Sequence, residues 1–214
     1  NTEAVKKGVQ IANDLNIPIV FISTAGIFSG QKDSYDEFDK PEPLGVYAKS
    51  KYASEVYIQQ NAKTYIICRA GWMMGGGPRK DKKFVQKIMK QLREGKRELL
   101  VVNDRFGVPT YTHDFAKNLK ILLEKSFWGL FNMVNQGQTS RFEVTKEILN
   151  ILNLQQKVSI KPVESSYLSE KYFAPRPQNE TLINRKLEEQ KLDLMRDWKS
   201  ALFEYLSKYY SDYL

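Results

Sequence analysis

A chain of 214 residues with 42% hydrophobic and 27% charged side chains holds enough apolar material for the core of one domain, or one domain and a small lobe. A single cysteine, Cys68, excludes an internal disulfide and a multi-cysteine metal site, and a single histidine, His113, argues against histidine-based zinc or triad chemistry. The net charge of +8 admits an anionic partner, but the lysines are spread along the chain and interleaved with acids, as in RKLEEQKLDLMRDWK, which describes a solvated surface. Only Pro78 to Lys83 is densely basic, and no aromatic-and-basic nucleic-acid signature accompanies it. No run approaches the roughly 18 apolar residues that cross a bilayer. The N-terminal stretch reads as an amphipathic helix rather than a leader, so a cytoplasmic protein without a metal site is expected.

In chain order, Val5, Val9, Ile11, Ala12 and Leu15 recur at helical spacing and predict a helix over residues 3–15. Pro18 breaks it, and IPIVFIS follows, a run apolar on both faces that predicts a strand inside a covered parallel sheet. Residues 26–45, rich in Gly, Asp, Ser and Pro, predict a long loop of the kind that carries function. A helix is expected over 46–61, then a strand at TYIICRAGW, a helix over 82–94, a strand at ELLVV and a helix over 112–125. A strand at GLFNMVN, a helix over 141–152, a short strand VSIKPV, the turn APRPQN and one or two terminal helices complete the reading. Strands alternating with helices of this length predict βαβ units and a mostly parallel sheet. No G-x-G-x-x-G opens a helix; the nearest candidate, MMGGGPRK at 73–80, follows a strand, but Pro78 and its spacing fit a loop.

The strongest chemical signal is Y-A-K-S-K, Tyr47 to Lys51. Residues four apart on a helix share a face, about 5–6 Å between Cβ atoms. A lysine cation there favours the phenolate and makes tyrosine a usable proton donor and acceptor. Y-x-x-x-K alone is weak, because many helices bring such a pair together. Its context strengthens it: Ser23 and Thr24 end the strand IPIVFIS, and ligands of open α/β sheets bind beyond the carboxyl ends of strands. A hydroxyl there is placed to bond a substrate carbonyl, so Thr24, Tyr47 and Lys51 read together as a carbonyl-reduction or alcohol-oxidation triad.

The strand-end Ser-Thr, the Y-x-x-x-K helix and the R-x-x-W after the next strand resemble extended short-chain dehydrogenases. Within them the chain is most similar to dTDP-4-dehydrorhamnose reductases and their sugar-nucleotide-binding relatives. FISTAGIFSG, PLGVYAKSKYASE, ICRAGWMMGGG, VVNDRFGVPTYTHDFA and RPQNETLINRK carry the resemblance in order. It implies an α/β fold with a doubly wound, mostly parallel, Rossmann-like sheet lacking its N-terminal part, and a small C-terminal α/β lobe. Residues 1–75 and part of 98–150 would form the dinucleotide-binding half, and 76–97 with 151–214 the substrate lobe. The implied activity is NAD(P)H-dependent reduction of a keto group on a nucleotide-activated deoxysugar, with Tyr47 as general acid. Lys51 would bind the nicotinamide ribose and tune Tyr47, and Thr24 would orient the carbonyl. Ser23, Ala70 and Gly71 would line the cofactor, NADPH or NADH. Trp72 would pack near the sugar, though a core aromatic remains the alternative. Asn103, Gly107, Pro109 and Thr110 match the segment that shapes the substrate side of the cleft. Arg176 and Asn179 match R-P-x-N, where an arginine suits a diphosphate, and Arg69 is read as structural. The expected partner is the nucleotide-sugar substrate, with no nucleic acid or membrane, and a homodimer is allowed.

Two departures stand out. The family usually continues Ser-Thr with Asp-Tyr where this chain has Ala25-Gly26, side chains expected to face the substrate. The glycine-rich turn is missing, so the chain is expected to be part of a longer polypeptide. A non-catalytic sugar-nucleotide-binding or regulatory subunit is the alternative reading.

Overall fold

The computed structural model describes residues 2–167 and 175–213; Ala174, which opens the expected Pro-rich turn, lies outside the described residues. The first helix, α1 (Thr2–Asp14), buries Val9 and Ala12. The predicted strand forms as β1 (Ile19–Thr24), and the Y-x-x-x-K helix as α2 (Val46–Asn61). β2 (Tyr65–Ala70) pairs in parallel with β1, from Ile19 opposite Tyr65 to Thr24 opposite Ala70. On its other side β2 pairs in parallel with β7 (Gly129–Asn132), giving the order β1-β2-β7.

Both faces of β2 are buried, as its uninterrupted apolar run requires. Ile67 packs with Val9 and Ile58 beneath α1 and α2. Ile66, Cys68 and Ala70 face Phe115 and Leu122 of α5 (Thr112–Glu124) and Leu187 of α7 (Arg185–Glu189). β1 is an edge strand of this order, and its Val20 and Ile22 are exposed.

The single strand expected over 64–72 divides in two. β2 stops at Ala70, and β3 (Trp72–Met74) joins a separate parallel pair with β6 (Pro109–Tyr111). Gly71 makes the break possible: the Trp72 amide donates to the Val108 carbonyl at 2.9 Å, and a Cβ on Gly71 would lie 2.5 Å from that same oxygen. Only a residue without a side chain lets the backbones approach this closely. The MMGGGPRK segment, expected as a loop, holds the end of β3, three glycines at positive φ and a one-turn helix, α3 (Gly77–Lys80).

A separate strand pair with its own helices follows. Helix α4 (Phe84–Arg93) leads to β4 (Glu98–Val102), which pairs in parallel with β9 (Ser159–Val163). α6 (Arg141–Ile151) packs on both strands, α8 (Trp198–Tyr209) packs on α6 and β6, and Met89, Leu99, Ile148 and Leu202 share one core. Two short strands, β5 (Phe106–Gly107) and β8 (Thr139–Ser140), pair antiparallel and escaped the sequence reading. Among the described residues no helix is long and apolar enough to cross a membrane, and no cluster of His, Cys, Asp and Glu suits a metal ion.

A buried ion pair ties α2 to the sheet. The Arg69 guanidinium donates to the Glu55 carboxylate through Nη2 at 2.8 Å and Nε at 3.2 Å, with the two side chains 4% and 0% exposed. This bears out the structural reading of Arg69. Removing one partner leaves the other charge buried alone, so Glu55→Gln or Arg69→Met is expected to cost about 3–5 kcal/mol in urea unfolding. Glu55→Leu combined with Arg69→Met should cost less than the sum of the single changes.

Candidate active site at the end of the edge strand

β1 delivers Ser23 and Thr24 to the carboxyl end of the sheet. Thr24 caps a 3₁₀ turn (Ala25–Ile27), its Oγ1 accepting from the Gly26 amide at 3.2 Å. That bond uses a lone pair and leaves the hydroxyl hydrogen unengaged by any described residue. Ser23 is buried, and its hydroxyl has no hydrogen-bond partner among the described residues.

α2 packs on β1 and on the 3₁₀ turn, and it starts immediately after Gly45, so Tyr47 lies in its first turn. Tyr47 is 61% exposed. One turn on, the Lys51 ammonium donates to the Ile22 carbonyl and sits 3.9 Å from the centroid of the Phe21 ring. Burial holds the Lys51 pKa below the ordinary lysine range, and the Glu55 carboxylate opposes the shift. Among the described residues no hydrogen bond joins Lys51 to the Tyr47 phenol. The two share a helix face, and the lysine is anchored on the strand edge.

Trp72 stands across the site. Its Nε1 donates to Glu180 Oε2 at 2.8 Å, and the Arg141 guanidinium lies 4.4 Å from its ring centroid. Beneath it, a Cβ on Gly107 would come within 2.7 Å of Trp72 Cε2 and Cζ2, so Gly107 makes room for the indole. The ring is half-buried and outside the core clusters, which disfavours the core-aromatic alternative.

Glu180 is the residue that sequence reasoning missed, because the R-P-x-N segment was read only as far as Asn179. Its Oε1 lies 3.4 Å from where a Cβ on Gly26 would stand, and Thr24 Oγ1 lies 3.5 Å from that same point. The only available signal was an acid directly after a segment already assigned to the substrate side.

Of the other expected site residues, Asn179, Ala70 and Gly71 have structural work. Asn179 is buried; its amide donates to the Lys32 and Asp33 carbonyls at 3.0 and 2.7 Å, and its carbonyl accepts from the Thr181 amide and hydroxyl. With its bonding capacity filled, Asn179 shapes the long loop instead of facing a ligand. Ala70 is buried in the core, and Gly71 lets its backbone lie against the Val108 carbonyl. Asn103 is exposed at the end of β4, its backbone N–H donating to the carbonyl of Val163, the last residue of β9. Arg176 is exposed, and its carbonyl accepts from Arg105 Nη1 at 3.1 Å. Ala25, expected to face the substrate, is only 1% exposed and packs with Ile27, Val108 and Val134, so of the Ala25-Gly26 pair only Gly26 borders the site. Cys68 is no nucleophile: burial pushes its thiol up to about 12.

Gly107→Ala is expected to displace the Trp72 ring and destabilise the chain by about 1–3 kcal/mol, as overpacking does. The accompanying change in tryptophan emission should vanish when the same change is made in Trp72→Phe.

Residues 1–211 match the family described as RmlD substrate binding domain. The spore coat polysaccharide biosynthesis protein SpsK of Bacillus subtilis is 35% identical over 192 residues, which are 88% of this chain and 64% of SpsK. The chain thus spans somewhat less than two thirds of that relative's length. The crystal structure of dTDP-4-dehydrorhamnose reductase from Yersinia enterocolitica superposes with a TM-score of 0.89 at 32% identity, covering 96% of this chain and 71% of that one. The Bacillus anthracis reductase, solved in complex with NADP, gives a TM-score of 0.89 at 29% identity, covering 97% and 72%. With these matches and an α/β architecture of mostly parallel strands, the chain belongs to the RmlD substrate-binding-domain family.

Proposed function

We propose that this chain provides the proton-donating and sugar-binding groups of an NAD(P)H-dependent reductase acting on a keto group of a nucleotide-activated deoxysugar. The observation that carries the reading is the packing of α2, the helix of Tyr47 and Lys51, on β1 and the 3₁₀ turn, with the Lys51 ammonium bonded to the Ile22 carbonyl beside Ser23 and Thr24. The names of the similar reductases support the substrate class.

The residues present fit the nicotinamide end of such a cofactor. Ser23 offers an orphaned buried hydroxyl, and Lys51 has two ammonium hydrogens left beyond the one spent on Ile22. These would hold the nicotinamide carboxamide and ribose; bound NADPH or NADH supplies the hydride. The chain's own residues do the rest. Thr24 donates its unengaged hydroxyl hydrogen to the substrate carbonyl and orients it. Tyr47 donates its phenolic proton to that oxygen as the alkoxide develops, and its exposure lets solvent restore the proton. Lys51, on the same helix face, stabilises the phenolate left behind. Trp72 supplies an apolar wall for the sugar, and Arg176 is assigned to the diphosphate. The β1-β2-β7 sheet with its helices is the cofactor side, and the β4-β9 lobe the substrate side. A cytoplasmic location fits one free, buried cysteine.

One observation favours a second reading. Lys51 is bonded to Ile22 and not to Tyr47, as a non-catalytic sugar-nucleotide-binding subunit would tolerate.

Tyr47→Phe is expected to slow reduction of dTDP-4-dehydrorhamnose about 10²–10⁴-fold, the usual contribution of a positioned acid. Binding of the nucleotide sugar should stay within about threefold, since the phenolic hydrogen bond forms chiefly in the transition state. Unchanged turnover would remove Tyr47 from the chemistry. Wild-type binding without any turnover would select the subunit reading.

A further inference from the structure

We propose that Glu180 and Gly26 form an acceptor-only pocket beside Thr24, which selects sugars presenting a hydroxyl or ammonium donor next to the keto carbon and rejects carboxylated sugars. This rests on the nucleotide-sugar reading above and names the substrate feature that the site would read.

Three observations fix the carboxylate. Its Oε2 is held by Trp72 Nε1 at 2.8 Å, and that indole is itself confined between Gly107 and the Arg141 guanidinium. The Glu180 amide donates to the Phe106 carbonyl at 2.9 Å, and the preceding Asn179 is buried with its amide bonded to the long loop. Glu180 therefore does not sweep the surface as a free glutamate would. Its second oxygen, Oε1, accepts no hydrogen bond from the described residues and stands over Gly26.

Gly26 leaves the space between them open. The point where its Cβ would stand is 3.4 Å from Glu180 Oε1 and 3.5 Å from Thr24 Oγ1, so the two oxygens flank one small volume. A carbonyl oxygen bonded to Thr24 places the substituents of the adjacent ring carbons in that volume. An ionised carboxylate only accepts hydrogen bonds, so the group it meets must be a donor. A hydroxyl or ammonium gains a charge-assisted bond, and a carboxylate on the neighbouring carbon meets like charge in a partly desolvated site.

The test measures calorimetric affinities of the chain for dTDP, dTDP-glucose and dTDP-glucuronate. The expected order places dTDP-glucose above dTDP-glucuronate by about 10- to 100-fold, the range for a hydrogen bond to a charged group. Glu180→Gln keeps an oxygen for the Trp72 N–H and removes only the charge. It should bring the two sugars to within about threefold of each other while tryptophan emission is unchanged. Gly26→Val fills the pocket against both Glu180 Oε1 and Thr24 Oγ1, and should weaken dTDP-glucose about tenfold while leaving dTDP alone unaffected. Equal affinity of the wild-type chain for both sugars, or a preference that survives Glu180→Gln, overturns the assignment of Glu180. Failure to bind dTDP and both sugars overturns the nucleotide-sugar reading itself, a result distinct from loss of selectivity.

Discussion

The ion pair between Arg69 and Glu55 sets the position of everything that gathers at the site. Arg69 is the penultimate residue of β2, and Glu55 lies two turns beyond Tyr47 on the stripe of α2 that also carries Lys51. A buried charge separated from its partner is costly, so the helix cannot slide or roll on the sheet without a large penalty. Fixing Glu55 therefore fixes Lys51 over Phe21, with its ammonium on the Ile22 carbonyl near the end of β1. The same guanidinium lies 5.3 Å from the Phe28 ring centroid, and Phe28 stacks on Tyr35 at 4.2 Å. Tyr35 in turn exchanges backbone hydrogen bonds with Thr181 and Ile183. Through that chain of contacts the segment carrying Glu180 is held across from Thr24, although the two are far apart in sequence.

The site that results is a small volume with divided chemistry. A cation at Lys51 and unengaged hydroxyl hydrogens lie at the strand end, and an acid at Glu180 lies on the opposite wall beside an indole. Donors on one side suit an oxygen that gains negative charge, and an acceptor on the other suits a hydroxylated ring. Glycines make the closeness possible. Gly107 admits the Trp72 ring, and Gly26 keeps the volume above the 3₁₀ turn open.

How much of this is legible in the sequence follows the range of the interactions involved. Helix α2 forms over 46–61 as expected, and β1 and β2 appear where β-branched runs predict strands, because those signals are local. The break at Gly71 is not legible, since it depends on the Val108 carbonyl passing within reach of a residue far away in the chain. Strands as short as β5 and β8 have no period to read. Asn179 resembles a ligand-facing residue in its motif, yet its partners are loop carbonyls that only the tertiary fold supplies. Glu180 carries no motif signal of its own, and its role emerges only when Trp72 and Gly26 are brought beside it.

The most direct test of the account follows an isotope into the sugar. The polypeptide carrying this chain is incubated with 4-deuterated NADPH and dTDP-4-dehydrorhamnose, and the recovered nucleotide sugar is analysed by mass spectrometry and proton NMR. The account predicts one deuterium at the former keto carbon, in a single configuration, because the proposed contacts of Thr24 and Trp72 would hold one face of the ring toward the strand end. Recovery of unlabelled, unreduced sugar under conditions where both ligands bind would contradict it.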